Sequence, residues 1–123
     1  MVNKKVFKTL ALYSSKLNAN TLKIADQVKE VLENLGVKVL ISESLLSSKF
    51  SMEEIASQEE IISKADLLIA IGGDGTLLSS SRIFGSRELP ILGINLGNLG
   101  FLTDIAPENL TESLLEILKG GYS

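Results

Sequence analysis

Asp66-Leu67-Leu68-Ile69-Ala70-Ile71-Gly72-Gly73-Asp74-Gly75-Thr76 is the stretch on which the reading of this chain turns. Residues 66–71 are an almost unbroken apolar run, the pattern of a strand buried on both faces of a parallel sheet. The run stops at Gly72, and three glycines (Gly72, Gly73 and Gly75) then fall within four residues. Leu77 to about Phe84 reads as a helix. A buried strand, a glycine turn and a helix in succession form the strand-to-helix half of a βαβ unit.

Working outward, the same alternation repeats. Val6 to Tyr13 reads as a first strand, and Ser14 to Asn20 as a polar connector. Leu22, Ala25, Val28, Leu32 and Leu35 then recur at helical spacing from Thr21, and Gly36 supplies a left-handed stop. Val37 to Ile41 is a short β-branched strand. Ser42 to Phe50 is irregular and is expected to be the most flexible stretch. Ser51-x-x-Glu54 and Ser57-x-x-Glu60 are two capping-box patterns that announce one or two helical turns. Pro90 to Asn95 is another buried strand. Pro107 opens a last helix carrying Leu110, Leu114, Ile117 and Leu118, which Gly120-Gly121 ends. The fold class expected is α/β, an open, mostly parallel sheet with flanking helices, in a single nucleotide-binding domain over residues 1–123.

Composition narrows the chemistry. A chain of 123 residues, 45% hydrophobic and 22% charged, should bury about two-thirds of its unfolded surface. The net charge of −3, with no basic cluster beyond Lys4-Lys5, argues against nucleic acid as a partner. There is no cysteine and no histidine, which removes disulfides, thiolate or imidazole metal sites and His-based triads. Apolar runs fall far short of the roughly 18–20 residues that span a bilayer, and Met1–Lys5 leads into a strand-like stretch rather than a signal sequence. A cytoplasmic protein without membrane contact is expected.

Ligands of parallel sheets bind at the carboxyl ends of strands, which points to the loops after the third and fourth strands. In the first, glycines let the backbone approach a ligand without a Cβ in the way, the helix N-terminus favours an anion, and Asp74 is the one acid within reach. Thr76 can cap the helix or donate to a phosphate. A plain turn with Asp74 or Thr76 as N-cap needs one glycine, not three. The second loop is Gly93-Ile94-Asn95-Leu96-Gly97-Asn98-Leu99-Gly100-Phe101-Leu102-Thr103-Asp104. It offers amides to fix hydroxyls or ring nitrogens, and an aromatic face to stack on a base. Residue by residue, Asn95 and Asn98 read as turn formers and Phe101 as core. As a unit facing the first loop, the segment reads as a site. Neither loop is a GxGxxG fingerprint or a GxxxxGK[ST] P-loop.

Ile71-Gly72-Gly73-Asp74-Gly75-Thr76-Leu77-Leu78, followed by Pro90-Ile91-Leu92-Gly93-Ile94-Asn95-Leu96-Gly97-Asn98-Leu99-Gly100-Phe101-Leu102, resembles the N-terminal domain of the NAD kinase family. The GGDG element is shared with diacylglycerol, sphingosine and phosphofructokinases, whereas the GIN-x-G-x-LGFL string is close to diagnostic. The resemblance implies ATP-dependent phosphorylation of the adenosine-ribose 2′-hydroxyl of NAD to give NADP, with Mg²⁺ or another divalent cation brought by the nucleotide and no metal held by side chains. It makes Asp74 the acid/base residue. It places Asp74, Gly75, Leu78, Asn98, Phe101 and Leu102 around NAD, and Gly72, Gly73 and Thr76 in the phosphate-approaching loop.

Ser79 stands where many members have Arg, and Leu96 where a basic or polar residue is frequent. Both changes remove contacts to phosphates or ribose and leave ATP or polyphosphate open as donor. The family's β-rich C-terminal domain, which brings an Asn-Glu pair and a homo-oligomer interface, has no counterpart in these residues. The isolated chain is therefore expected to be inactive. Two further readings are a non-catalytic nucleotide-binding fragment and another GGDG-type kinase, such as a lipid kinase.

Overall fold

The computed structural model describes residues 8–47, 50–84 and 89–95, apart from the side chains of Asp74, Leu77 and Asn95. The helix expected from Pro107, and Asn98, Phe101 and Leu102, lie outside the described residues. In chain order the elements are β1 (Thr9–Tyr13), α1 (Ala19–Asn34), β2 (Lys38–Ser42), a 3-10 turn (Glu43–Leu45), β3 (Ile55–Ala56), α2 (Gln58–Lys64), β4 (Leu67–Gly72), α3 (Asp74–Phe84) and β5 (Ile91–Asn95). The strands form one sheet in the order β3-β2-β1-β4-β5, and every pairing is parallel.

Side chains alternate across a strand, and both faces of this sheet are covered, so apolar residues are needed at consecutive positions. Leu10 and Leu12 of β1, Val39 and Ile41 of β2, and Leu67, Ile69 and Ile71 of β4 lie on one face, packed under Ile24, Ala25, Val28 and Leu32 of α1. Ala11, Tyr13, Leu40, Leu68 and Ala70 lie on the other, against Ile61 of α2 and Phe84 of α3. Each fully buried Leu or Ile contributes about 1.5–3 kcal/mol relative to exposure, so the apolar run at 67–71 is explained by burial alone. Asp66 ties the strand entrances together. Its Oδ2 accepts from the Lys8 and Thr9 N–H groups at 2.9 and 3.0 Å. Among the described residues no helix is long and apolar enough to cross a membrane.

Local signals explain the element ends. Gly36, at φ +82°, ends α1 as expected: its N–H donates to Glu33 O and that of Val37 to Leu32 O, both at 3.0 Å, a Schellman pair. The start of α1 differs from the sequence reading. Asn18 Oδ1 accepts from the Thr21 N–H at 2.8 Å and its hydroxyl at 2.9 Å, so the helix begins at Ala19. Likewise α3 begins at Asp74, three residues before Leu77.

The capping boxes divide. Ser57 Oγ accepts from the Glu60 N–H at 3.1 Å and caps α2. Ser51 and Glu54 close a turn instead, because the next residues are claimed by the sheet. Ile55 and Ala56 pair with Ile41 and Ser42 as a short edge strand, and Ile41 N–H donates to Glu54 O at 2.8 Å. The stretch expected to be most flexible is anchored by Leu45 and Phe50, both buried in the α1-side core.

Glu54 also fixes the β3 edge to α1. Lys29 Nζ lies 2.7 Å from Glu54 Oε2 and 3.1 Å from Glu33 Oε1. Burial pushes the Glu54 carboxyl up, but the Lys29 ammonium and the Ser51 hydrogen bonds outweigh it, and its pKa falls below the ordinary 4.5. The bond to Glu54 is the main reason that Lys29 is raised above 10.5. The sign follows. The carboxylate's contribution is complete above pH 4.5 and is lost as pH falls through the lower folded value. Glu54→Gln should therefore cost about 0.5–1 kcal/mol at neutral pH. In urea titrations, the gap between the variant and the unsubstituted chain should close as pH falls below 4.5 and through the lower folded value.

Candidate active site

The sheet order places the site. From β1 the chain passes through α1 to β2 on one side, whereas from β4 it passes through α3 to β5 on the other. β1 and β4 are therefore neighbours whose connections diverge, and a crevice opens at the carboxyl ends of such strands. Here it is a cavity of about 700 Å³, lined by Ser14–Lys16 and Asn18–Thr21 after β1 and by Gly72, Gly73, Gly75 and Thr76 after β4.

The glycines have unequal reasons. Gly72 has φ +151°, and a Cβ built there would stand 2.9 Å from Thr76 Cβ and closer still to Thr76 Oγ1. This position excludes a side chain on steric grounds. Gly73 and Gly75 have no left-handed φ, and nothing lies within 4 Å of where their Cβ atoms would be. The protein itself does not require glycine at either. What their bareness leaves is open backbone at the mouth of the crevice, where a ligand can approach.

Asp74 is the first residue of α3, at the positive end of the helix dipole. Thr76 is two residues further in, so it is not the N-cap. Its side chain is 4% exposed, with Oγ1 2.6 Å from Ser15 Oγ and accepting from the Ser15 N–H at 3.3 Å. Ser79 faces inward as well. Its Oγ is 2.5 Å from the hydroxyl of Tyr13, whose ring meets Phe84 edge-on at 5.4 Å. Leu78 is 61% exposed and lies one turn after Gly75 on the same face of α3. The structure thus gathers Gly72, Gly73, Gly75 and Thr76 at the crevice, with Asp74 at the head of α3 and Leu78 beside them.

The sequence reading did not include the opposite wall. Ser14 is fully buried, and its Oγ donates to Lys16 O at 3.0 Å and accepts from the Lys16 N–H at 3.2 Å. This tight turn brings Lys16 to the crevice as its one charged lining residue among the described residues. Lys16, together with the starts of α1 and α3, makes the crevice a place for an anion in a chain of negative net charge. The signal was present: a polar Ser-Ser-Lys run at a strand's carboxyl end, followed by Asn18-x-x-Thr21 as a cap. Sequence cannot show that β1 lies beside β4.

Comparisons with known proteins agree with this geometry. The family model described as the ATP-NAD kinase N-terminal domain matches residues 2–122. The NAD kinase of Geotalea daltonii is 38% identical over 115 residues, which are 94% of this chain and 40% of that protein. The NAD kinase of Haemophilus influenzae is 38% identical over 116 residues, 94% of this chain and 41% of that protein. The chain therefore spans about 40% of the length of these relatives. The crystal structure of yeast NADH kinase complexed with NADH superposes with a TM-score of 0.78 at 20% identity, covering 95% of this chain and 39% of that one. With the fold, the glycine turn and a match running over nearly every residue in agreement, this chain belongs to the ATP-NAD kinase N-terminal domain family.

Proposed function

We propose that the polypeptide carrying this chain transfers the γ-phosphoryl group of ATP to the 2′-hydroxyl of the adenosine ribose of NAD, giving NADP and ADP. The observation that carries this reading is the family match over residues 2–122, supported by a glycine turn that stands with Lys16 on a crevice of about 700 Å³. In the reaction the 2′-oxygen forms the new bond to the γ-phosphorus, the bond to the β,γ-bridging oxygen breaks, and the hydroxyl proton is released. Asp74 orients the hydroxyl and accepts that proton. An Asp of ordinary pKa about 3.9 is a weak base at neutral pH, but in a loose phosphoryl-transfer transition state the proton leaves late.

Gly72 and Gly73 admit the phosphates. Gly75 and Leu78, with Asn98, Phe101 and Leu102, contact the adenosine of NAD. The apolar face of Leu78, exposed beside Gly75, is suited to that contact. The divalent cation would arrive with the nucleotide, as part of the donor substrate. A β-rich C-terminal domain completes the NAD site and the oligomer, consistent with relatives more than twice this length. The compartment is the cytoplasm.

The test is NADP formation from NAD and ATP, followed with an NADP-specific dehydrogenase. The longest polypeptide containing these residues should make NADP, and residues 1–123 alone should make little or none. Absence of NADP from the longer polypeptide, with phosphorylation of diacylglycerol in its place, would move the protein to the lipid kinases.

A further inference from the structure

Thr76 is not the cap of α3, which begins at Asp74, and the structure gives its hydroxyl a contact that the sequence does not show. Its buried Oγ1 reaches across the crevice to the Ser15 hydroxyl at 2.6 Å and takes the Ser15 N–H at 3.3 Å, over a sequence separation of 61 residues. The space it fills beside β4 exists because Gly72 has no side chain. One helical turn further along α3, Ser79 makes the second such tie, to Tyr13. The exit of β1 is thus pinned to α3 by two hydroxyl pairs.

A hydroxyl has one proton to give and two lone pairs. Geometry allows either hydroxyl of the pair to donate; with Thr76 Oγ1 already accepting from the Ser15 N–H and Thr76 buried, the arrangement that gives the buried proton a partner has Thr76 donating to Ser15 Oγ. The Ser15 O–H is then free, and Ser15 is the exposed member of the pair and lines the crevice. We propose that Ser15 is a binding residue for the polyphosphate of the donor nucleotide, and that Thr76 is the positioning residue that aims it and sets the separation of the two loops. This rests on the kinase reading for the identity of the donor, but not for the geometry of the pair.

The experiment is calorimetric binding of ATP, and of inorganic tripolyphosphate as a probe without the base, to this chain and its Ser15→Ala, Thr76→Val and Thr76→Ser variants. Circular dichroism and thermal melts check that each is folded. A hydrogen bond to a charged group corresponds to roughly tenfold or more in affinity. Ser15→Ala and Thr76→Val should each weaken both anions by on the order of tenfold. The double variant should be little worse than either, because the pair acts as one unit. Thr76→Ser, which keeps the hydroxyl and loses the methyl, should restore binding.

Unchanged affinity in folded Thr76→Val, or a Thr76→Ser variant as weak as Thr76→Val, would overturn the proposal. So would an unsubstituted chain that binds neither anion. The expected pattern of affinities in a protein that makes no NADP would uphold the pair and remove the activity reading alone.

Discussion

Asp74→Asn is expected to lower kcat for NADP formation by about 10²–10⁴-fold, the usual worth of a positioned acid/base, in the longest active polypeptide. The exchange preserves size and leaves a side chain able to hydrogen-bond, so the dinucleotide should still bind. Loss should therefore appear in kcat, with the KM for NAD changed far less. Unfolding does not offer a competing explanation. Asp74 opens α3, where a negative charge interacts with the helix dipole by typically 0.3–1 kcal/mol, a small part of a domain's stability. Steady-state kinetics with a parallel melting curve separate the two effects. Near-normal turnover by a folded Asp74→Asn enzyme would remove Asp74 from the reaction.

The second large effect is structural. Gly72→Ala should destabilise the chain by about 2–5 kcal/mol, from a left-handed φ that side chains avoid and from overpacking against Thr76. The conformation is observed at +151°, and the added methyl would sit 2.9 Å from Thr76 Cβ with the strand holding it there. Gly72 pairs with Asn95 of β5 at the last position of the ladder, so the backbone cannot swing away without breaking the sheet at the crevice. Urea denaturation at neutral pH measures the loss. A Gly72→Ala/Thr76→Ala double variant should be less destabilised than the sum of its parts, because the second change removes Thr76 Oγ1, the nearest atom the first one strikes, and leaves only the Cβ contact. Simple additivity would show that the contact is not the cause. Alanine at Gly73 or Gly75, where no neighbour lies within 4 Å, meets no such clash.

The two glycine classes illustrate what could be read without coordinates. The count of glycines beside Asp74 marks the turn as unusual, but not which one the fold requires. That depends on where the Thr76 side chain packs. The same limit applies to Ser51-x-x-Glu54. Its local chemistry fits a helix start, yet pairing of Ile55 and Ala56 with β2 prevails, since parallel pairing joins residues far apart in sequence. Ser57-x-x-Glu60, with no such competitor, caps α2 as its pattern promises.

The succession of β1, α1, β2, α2, β4, α3 and β5 (though not the edge strand β3), the stop at Gly36 and the buried character of β4 were determined by the sequence itself. Each follows from the period of apolar residues or from a conformational preference acting within a few positions. The neighbour relation of β1 and β4 was decided only in the folded chain, and with it the crevice, the approach of Lys16, and the meeting of Ser15 with Thr76. Those contacts join segments some sixty residues apart. The free energy of packing both faces of the sheet selects them, and no local signal encodes it.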